Sequence, residues 1–296
     1  MDALTNVLVS GLLLGGIYAL VSVGLNLIFG VVRIVNFAQG ELIMVAMYAT
    51  YFCFTVFGLH PYVAVFLVMP AMFLFGVVMQ RLLLEPLRGE PLMQIFATFG
   101  LLMLLQNVVL ALTRGEGMSL NLGDSASVIT LLGIKASSAR VVIFAASALI
   151  VGTLTLFLQF TLAGKAVRAV IQDQDAARLM GINVERTFLL VVGVGAALAG
   201  VAGSLLAPIY TLSPYIGANF IMPAFAVVVL GGLGSVTGAY IGGIAVGLVE
   251  ALAGYYIDPA LKQAIWFAIF IAVLVIRPSG LMGKAGAEEI GLSDHH

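Results

Sequence analysis

The chain has 296 residues, of which 62% are hydrophobic and only 9% are charged, and its formal net charge is −1. Soluble domains usually carry about a quarter charged residues, so this composition cannot cover a water-exposed surface. The near-zero charge gives no sign of nucleic acid or of an acidic partner. Cys53 is the single cysteine, which excludes an internal disulfide and a thiol pair for metal or redox chemistry. The composition indicates that lipid is the solvent.

Apolar runs near the roughly 20 residues that a helix needs to cross a bilayer recur along the chain. They do not alternate apolar and polar residues, so a barrel is not favoured. We predict nine spans, at 7–30, 38–57, 62–84, 92–113, 141–160, 188–208, 219–234, 238–254 and 261–277. Glycines crowd the junction of the seventh and eighth spans, where either piece could be re-entrant. The predicted fold is an all-α polytopic integral membrane protein, with about 8–9 transmembrane helices in a single domain over 1–296.

Lysine and arginine favour the cytoplasmic ends of spans and so predict the orientation. Placing the N-terminus outside gives nine of these residues to inner segments and four to outer segments. The inner residues are Arg33, Arg81, Arg88, Lys165, Arg168, Arg178, Arg186, Arg277 and Lys284, and the outer residues are Arg114, Lys135, Arg140 and Lys262. The count predicts an outside N-terminus and a cytoplasmic C-terminus.

Two connections are long, the outer one at 114–140 and the inner one at 161–187. Residues 165–180 of the inner connection predict one short amphipathic helix, closed by Gly181 as a C-terminal cap. Its apolar face holds Val167, Val170, Ile171 and Ala177, its other faces hold Lys165, Arg168, Gln172, Asp175 and Arg178, and Asp175 lies at pairing distance from Arg178. Such a helix needs a partner surface. The alternatives are a helix lying on lipid headgroups or a solvated connector.

The inner connection resembles the cytoplasmic coupling region of the permeases of branched-chain amino acid ABC importers. The matching residues are Gly164, Lys165, Ala166, Arg168, Ala169, Asp173, Leu179, Gly181 and Ile182. The segments GGIYALVSVGLNLIFGVVRIVNFAQGELIM, AVVVLGGLGSVTGAYIGG and RPSGLMG resemble the same family in the same order. The resemblance therefore spans nearly the whole chain. It implies a bacterial inner-membrane permease for branched-chain or related amino acids.

The resemblance also implies the partners. Two ATP-binding subunits would dock on the coupling residues Gly164, Lys165, Arg168, Asp173, Ala177, Leu179 and Gly181, beside a second related permease subunit or a second copy, and a periplasmic solute-binding protein would deliver the substrate. The sequence Gly164-Lys165 lacks the remaining residues of a phosphate-binding loop. We therefore expect no catalytic residue, metal or cofactor in this chain, with ATP and magnesium held on the partner subunits.

One motif departs from the family pattern. Where the family reads Asn-Phe-Ala-His-Gly, this chain has Gln39 between Ala38 and Gly40. Glutamine does not titrate near neutral pH, so proton sensing is not expected at this position. Asn36, Gln39 and Glu41 predict a capping box that opens the second span.

Polar and glycine residues within the spans give candidates for the translocation path. Intramembrane polar groups face other helices or a cavity. The path residues that we predict are Asn26, Asn36, Gln39, Glu41, Gly231, Gly232 and Gly234. For the amides of Asn26, Gln80, Gln106 and Asn107, hydrogen bonding between helices is the alternative to substrate contact, and Glu250 is expected to be solvated or paired.

Two rival functions are disfavoured by the sequence. A stand-alone secondary transporter predicts acids at mid-membrane or an inverted repeat, and neither is visible in the sequence. An intramembrane enzyme needs a catalytic constellation, but His60, His295 and His296 are the only histidines and no acidic pair lies within the spans. The solute stays open: urea, amides and aromatic acids are alternatives to branched-chain amino acids.

Overall fold

The computed structural model describes residues 2–120, 128–131, 134–258, 261–276, 280 and 282. Its helices are α1 (Asp2–Val32), α2 (Gln39–Phe57), α3 (Pro61–Met79), α4 (Pro91–Thr113), α5 (Ser138–Phe160), α6 (Leu162–Gln172), α7 (Gln174–Leu179), α8 (Val184–Leu206), α9 (Ala218–Gly231), α10 (Val236–Tyr256) and α11 (Lys262–Ile276). A π-helical turn at Gln80–Leu84 and a 3-10 turn at Glu85–Leu87 follow α3. Strands β1 (Val128–Leu131) and β2 (Ile134–Ser137) form an antiparallel hairpin in the predicted outer loop.

The all-α membrane fold predicted from the sequence is confirmed. Seven helices of the described residues are long and apolar enough to cross a membrane, and α9 and α11 are shorter apolar helices. Each of the nine predicted spans corresponds to one of these helices. The 14 residues of α9 extend about 21 Å at 1.5 Å per residue, which is less than the roughly 30 Å of a hydrocarbon core. This helix alone does not cross the core.

Local sequence signals explain where several helices begin and end. Pro61 and Pro91 occupy the first turns of α3 and α4, where a missing N–H costs nothing. The side chain of Asn183 accepts from the backbone N–H of Arg186 and so caps α8. Gly58 ends α2 in the left-handed conformation, with φ of 64°.

The prediction of one helix at 165–180 is wrong, because the segment forms two helices that meet at Asp173. This residue is extended, with φ of −155° and ψ of 117°. Its carboxylate accepts from the backbone N–H groups of Asp175 and Ala176, both at 2.9 Å, so it begins α7 as an N-cap. The predicted cap at the other end is confirmed: Gly181 has φ of 80°, and its N–H donates to the carbonyl oxygen of Arg178 at 2.9 Å.

We expect Asp173→Ala to destabilise α7 locally by about 0.5–2 kcal/mol, because two N–H groups lose their acceptor. Hydrogen exchange at 174–179 measures the effect. Asp175→Ala is the matched control, since the pair of Asp175 with Arg178 is 3.8 Å long and largely exposed. Equal exchange in both variants would contradict the assigned cap.

The contacts divide the chain into two compact units, and the predicted single domain stays a prediction. The first comprises Met1–Asn26, Ala126–Gly152 and Pro223–His296. Within it α1 and α10 approach through glycines: a Cβ on Gly15 would lie 2.6 Å from the Cα of Ile244, and one on Gly243 would lie 2.7 Å from the Cα of Ala19. Glycine pairs of this kind let the backbones of membrane helices approach closely.

The second unit comprises Leu27–Ser125 and Thr153–Met222. Its centre is α8, which lies against α2 and α3 through small residues. Gly76 of α3 faces Ala196, and Gly203 of α8 faces Ala46. The side chains of Thr50 and Ser204 are joined by a 2.8 Å hydrogen bond and are fully buried.

Contacts at the two ends of the second unit agree with helices that alternate in direction. At one end, an amide of α7 donates to the carbonyl oxygen of Val31 at 3.4 Å, and Arg88 lies 3.8 Å from Glu185. At the other end, Met118 and Leu212 form an antiparallel bridge. The connections predicted to be inner therefore share one end of this unit. Arg277 and Lys284, which also entered the orientation prediction, lie outside the described residues.

Candidate functional site

Asn26 of α1 binds the break between α9 and α10. Its Nδ2 donates to the carbonyl oxygens of Ser235 at 2.7 Å and Gly232 at 3.3 Å, while its Oδ1 accepts from the N–H of Gly234 at 2.6 Å. Asn26 is fully buried, and Gly232 and Gly234 have φ of 101° and 80°. The amide of Asn26 thus satisfies two carbonyl groups and one N–H group that have no helical partner where the helix is interrupted.

The same break is held from two more directions. Gly231 and Gly238 approach so closely that neither has room for a Cβ. The N–H of Met282 donates to the carbonyl oxygen of Gly231 at 3.1 Å, and Gly280, with φ of 74°, lies against Gly232. Residues 280 and 282 belong to the RPSGLMG motif, whose other residues lie outside the described ones. We call residues 231–235 with Asn26 the glycine break.

A second polar cluster lies where α2 begins. The Nε2 of Gln39 donates to the carbonyl oxygen of Gly195 in α8 at 3.3 Å. The Nε2 of Gln106 in α4 donates to Oε1 of Glu41 at 2.8 Å. Asn36, Gln39 and Glu41 are at most 1% exposed. Three side chains predicted for the path are therefore buried together within the second unit.

The predicted capping box is wrong. Ala38 is the N-cap of α2 and has no capping side chain. The Oδ1 of Asn36 accepts from the N–H of Ala38, only two residues on, at 3.1 Å. The Gln39 side chain accepts from Nδ2 of Asn36 through its Oε1 at 3.5 Å, and its Nε2 donates to α8 and not to the backbone at Asn36. A contact between helices replaces the local cap because the amide of Gln39 satisfies a carbonyl group of α8.

Glu41 is the most constrained of these side chains. Its Oε2 is buried and has no hydrogen-bond partner among the described residues. Gly217 lies beside it, since a Cβ there would be 2.7 Å from Oε1 of Glu41 and 2.7 Å from the carbonyl oxygen of Gly40. An ionisable group held in this way within a span is a functional candidate by default.

The predicted coupling residues form a surface with a buried inner side. Val167, Val170 and Ala177 are 1%, 0% and 4% exposed, which confirms the predicted amphipathic pattern. Gly164 lies so close to the backbone of α5 that a Cβ would be 2.5 Å from the Cα of Leu158. The outward residues are Lys165, Arg168, Gln172, Asp173, Asp175, Arg178, Leu179 and Gly181.

Two large apolar side chains stand out on this surface. Leu179 and Met180 are 89% and 82% exposed at the end of α7. The Schellman geometry explains why they project, since the N–H of Ile182 reaches back to the carbonyl oxygen of Ala177 at 3.0 Å and closes the helix. We call Lys165, Arg168, Arg178, Leu179 and Met180 the coupling surface.

For other intramembrane polar residues, the sequence left open whether they form hydrogen bonds between helices. Gln106 joins two helices, as expected. Asn107 does not: it donates to the carbonyl oxygen of Met103 in its own helix at 2.8 Å and is exposed. Glu250 is 4% exposed and accepts from the hydroxyl of Tyr18 at 2.6 Å, so it is paired rather than solvated.

Sequence reasoning missed several participants of these clusters. Ser235 both accepts from Asn26 and caps α10, where its hydroxyl accepts from the N–H of Gly238 at 3.1 Å. A serine before an apolar helical run was the available signal. Gly195 takes part only through its carbonyl oxygen. Gly217 takes part only because it has no side chain that would clash with Glu41. No sequence pattern marks such roles. Among the described residues, no group of three or more histidine, cysteine or acidic side chains is placed to hold a metal.

Comparison with known proteins identifies the family of the chain. The family model described as branched-chain amino acid transport system / permease component matches residues 7–274. The high-affinity branched-chain amino acid transport system permease protein LivH of Salmonella typhimurium is 32% identical, over 95% of this chain and 96% of that protein. The permease protein BraD of Pseudomonas aeruginosa is 32% identical over 96% and 97%, and the probable permease LivH of Methanocaldococcus jannaschii is 29% identical over 94% and 92%. No solved structure matches the chain. The chain belongs to the permease component family of branched-chain amino acid transport systems.

Proposed function

We propose that this chain is the membrane-spanning subunit of an ATP-driven importer for branched-chain or related amino acids. Family membership and the relatives' names support the transport role. The observation that carries the ATP-driven mechanism is the coupling surface, where a membrane protein exposes Leu179 and Met180 beside basic side chains. Exposed apolar groups rimmed by charge are typical of a protein-binding surface.

The proposed partners of this surface are two ATP-binding subunits, which hold the nucleotide and magnesium. Lys165, Arg168 and Arg178 supply positive charge, while Leu179 and Met180 supply apolar anchors for a groove on the ATPase. In this proposal the chain itself acts as the transport subunit. A second related permease subunit or a second copy completes the membrane part, and a periplasmic solute-binding protein delivers the solute.

The proposed location is the bacterial inner membrane, with the N-terminus outside and the C-terminus in the cytoplasm. The excess of lysine and arginine in alternate connections supports this orientation. It puts the coupling surface in the cytoplasm, where ATP is available. Labelling of a cysteine introduced at Lys165 from the outside of intact cells would contradict it.

Each of the two compact units contains candidate residues for the proposed translocation path. A half-length α9 that ends in the glycine break resembles the discontinuous helices that line transporter sites. Asn26, Gly231, Gly232 and Gly234 belong to that break. Asn36, Gln39 and Glu41 form the second cluster. Closure of the ATPases on the coupling surface would re-angle the attached helices and open the path alternately.

Reconstitution into vesicles tests the proposal. We expect leucine uptake to need added ATPase subunits, binding protein and ATP, and the double variant Leu179→Glu, Met180→Glu to lower coupled uptake at least tenfold and to lose the ATPase on co-purification. Pro86→Glu adds charge to an exposed turn and serves as the control. Uptake by this chain alone would overturn the ATP-driven mechanism. Coupled uptake of urea, an amide or an aromatic acid instead of leucine would reassign the solute.

A further inference from the structure

Arg88 lies where the connection between α3 and α4 meets the start of α8. Its guanidinium carbon is 4.8 Å from the centre of the Phe188 ring, and its Nη1 is 3.8 Å from Oε1 of Glu185. Arg88 is half-buried, and Phe188 is buried. A planar guanidinium stacks on an aromatic ring and still donates to a carboxylate beside it. Two contacts of different kinds therefore attach Arg88 to α8.

The charges around Arg88 also connect it to α7. Burial lowers the pKa of Arg88, and the nearby guanidinium of Arg178 lowers it further. The carboxylates of Glu185, Glu85 and Asp175 raise this pKa. Arg178 and Asp175 lie in α7 and pair with each other at 3.8 Å. A movement of α7 relative to the connection therefore changes the electrostatic energy of Arg88.

On its other side, Arg88 leads directly into α4. Gly89 follows it with φ of 94°, and α4 begins at Pro91. The Nε2 of Gln94, in the first turn of α4, donates to the carbonyl oxygen of Leu84 at 3.0 Å, and Gln94 is buried. Because this hydrogen bond joins the two sides of the connection, a displacement of Arg88 reaches the start of α4.

Helix α4 extends from this connection to the polar cluster at the start of α2. The Nε2 of Gln106 in α4 donates to Oε1 of Glu41 at 2.8 Å. Gln106 lies about 22 Å along the helix axis from Pro91, at 1.5 Å per residue. A helix keeps its backbone hydrogen bonds when it tilts, so tilting of α4 at its first turn displaces Gln106 relative to Glu41.

We propose that Arg88 is a positioning residue through which movement of the coupling surface reaches α4. The inference rests on the proposed function, because docking of the ATPase is the source of the movement. When α7 and the start of α8 are displaced, Glu185 and Phe188 carry the guanidinium with them and α4 tilts. The chain joins α6 and α7 directly to α5 and α8, but not to α4. The contact at Arg88 therefore adds a third membrane helix to those that the ATPase moves.

Reconstitution with the ATPase subunits, the binding protein and ATP tests the role of Arg88. We expect Arg88→Gln to lower the leucine imported per ATP hydrolysed by at least about fivefold, because the glutamine neither stacks as a cation nor forms an ion pair. Co-purification of the ATPase should match the wild type. The measured quantity is a ratio, so a lower yield of folded protein does not change it.

Two further variants make the test specific. Arg81→Gln is the matched control, because Arg81 is an exposed arginine of the same connection and makes no ion pair with any described residue. Adding Glu185→Gln to Arg88→Gln should lower the ratio no further, since both changes remove the same ion pair. An unchanged ratio in Arg88→Gln overturns the inference. Loss of the ATPase from Arg88→Gln also overturns it, because Arg88 would then belong to the docking surface.

Hydrogen exchange provides a second measurement that does not depend on uptake. In the wild type, we expect ATPase subunits with ATP to change the exchange of amides at 174–181 and at 88–95. In Arg88→Gln, only the change at 174–181 should persist. If the wild type responds at 174–181 but not at 88–95, the inference is overturned and the proposed function stands. If it responds at neither segment, docking on the coupling surface is contradicted, and the inference fails with it.

Discussion

Gly247→Val is expected to disrupt the packing of α1 against α10 and to destabilise the protein by about 3 kcal/mol. A Cβ at Gly247 would lie 2.6 Å from the carbonyl oxygen of Gly11, and closer still to the backbone of Gly15. The obstacle is backbone, so no rotamer change relieves it and the helices must separate. Thermal unfolding of the detergent-solubilised protein measures the loss, and the yield of folded protein should fall with it.

Gly100→Val provides the matched control for this prediction. Gly100 is also a helical glycine, in α4, but nothing lies within 4 Å of the position of its Cβ. The added side chain enters open space, and we expect an unchanged unfolding temperature. Similar unfolding temperatures in the two valine variants would show that α1 and α10 do not approach as described.

The second large effect is expected for Asn26→Leu. The leucine fills a similar volume but leaves one N–H and two carbonyl groups of the glycine break without partners. Buried unpaired groups cost about 1–3 kcal/mol each, although hydrogen bonds between membrane helices often contribute less, so we expect a loss of about 2–4 kcal/mol. Thermal unfolding and reconstituted leucine uptake should both be impaired.

Asn107→Leu is the corresponding control. Its amide is exposed and donates only to a carbonyl group of its own helix that already belongs to the helical ladder. We expect unfolding temperature and uptake to match the wild type. If Asn26→Leu also leaves the unfolding temperature and uptake unchanged, the hydrogen bonds of Asn26 do not hold the glycine break.

The membrane fold was predictable because it depends on properties that sum along the chain. Apolar run length located the nine helices α1–α5 and α8–α11, and the excess of small residues at 231–243 located the break. The pattern of Val167, Val170 and Ala177 was sufficient to predict a buried face. These signals are local in sequence, so no knowledge of tertiary contacts was needed.

What escaped prediction depends on contacts that the sequence pattern does not show. Gln39 lies beside Asn36 and resembles a capping residue, but its amide binds Gly195, which lies 156 residues away. Helical composition surrounds Asp173 and predicts a helix interior, whereas its carboxylate caps α7. Arg140 of α5 and Glu250 of α10 line the same pocket as residues of α1, and neither has a sequence neighbour that reveals the other.

The close backbone contact between Gly164 of α6 and Leu158 of α5 affects how α6 can move. Because no side chain separates the two backbones, no rotamer can absorb a displacement of α6 relative to α5. Asp173, by contrast, interrupts the helical ladder between α6 and α7, so bending is easiest there. A force on α7 would therefore be partly taken up by bending at Asp173. A force on α6 would instead move the end of α5 with it.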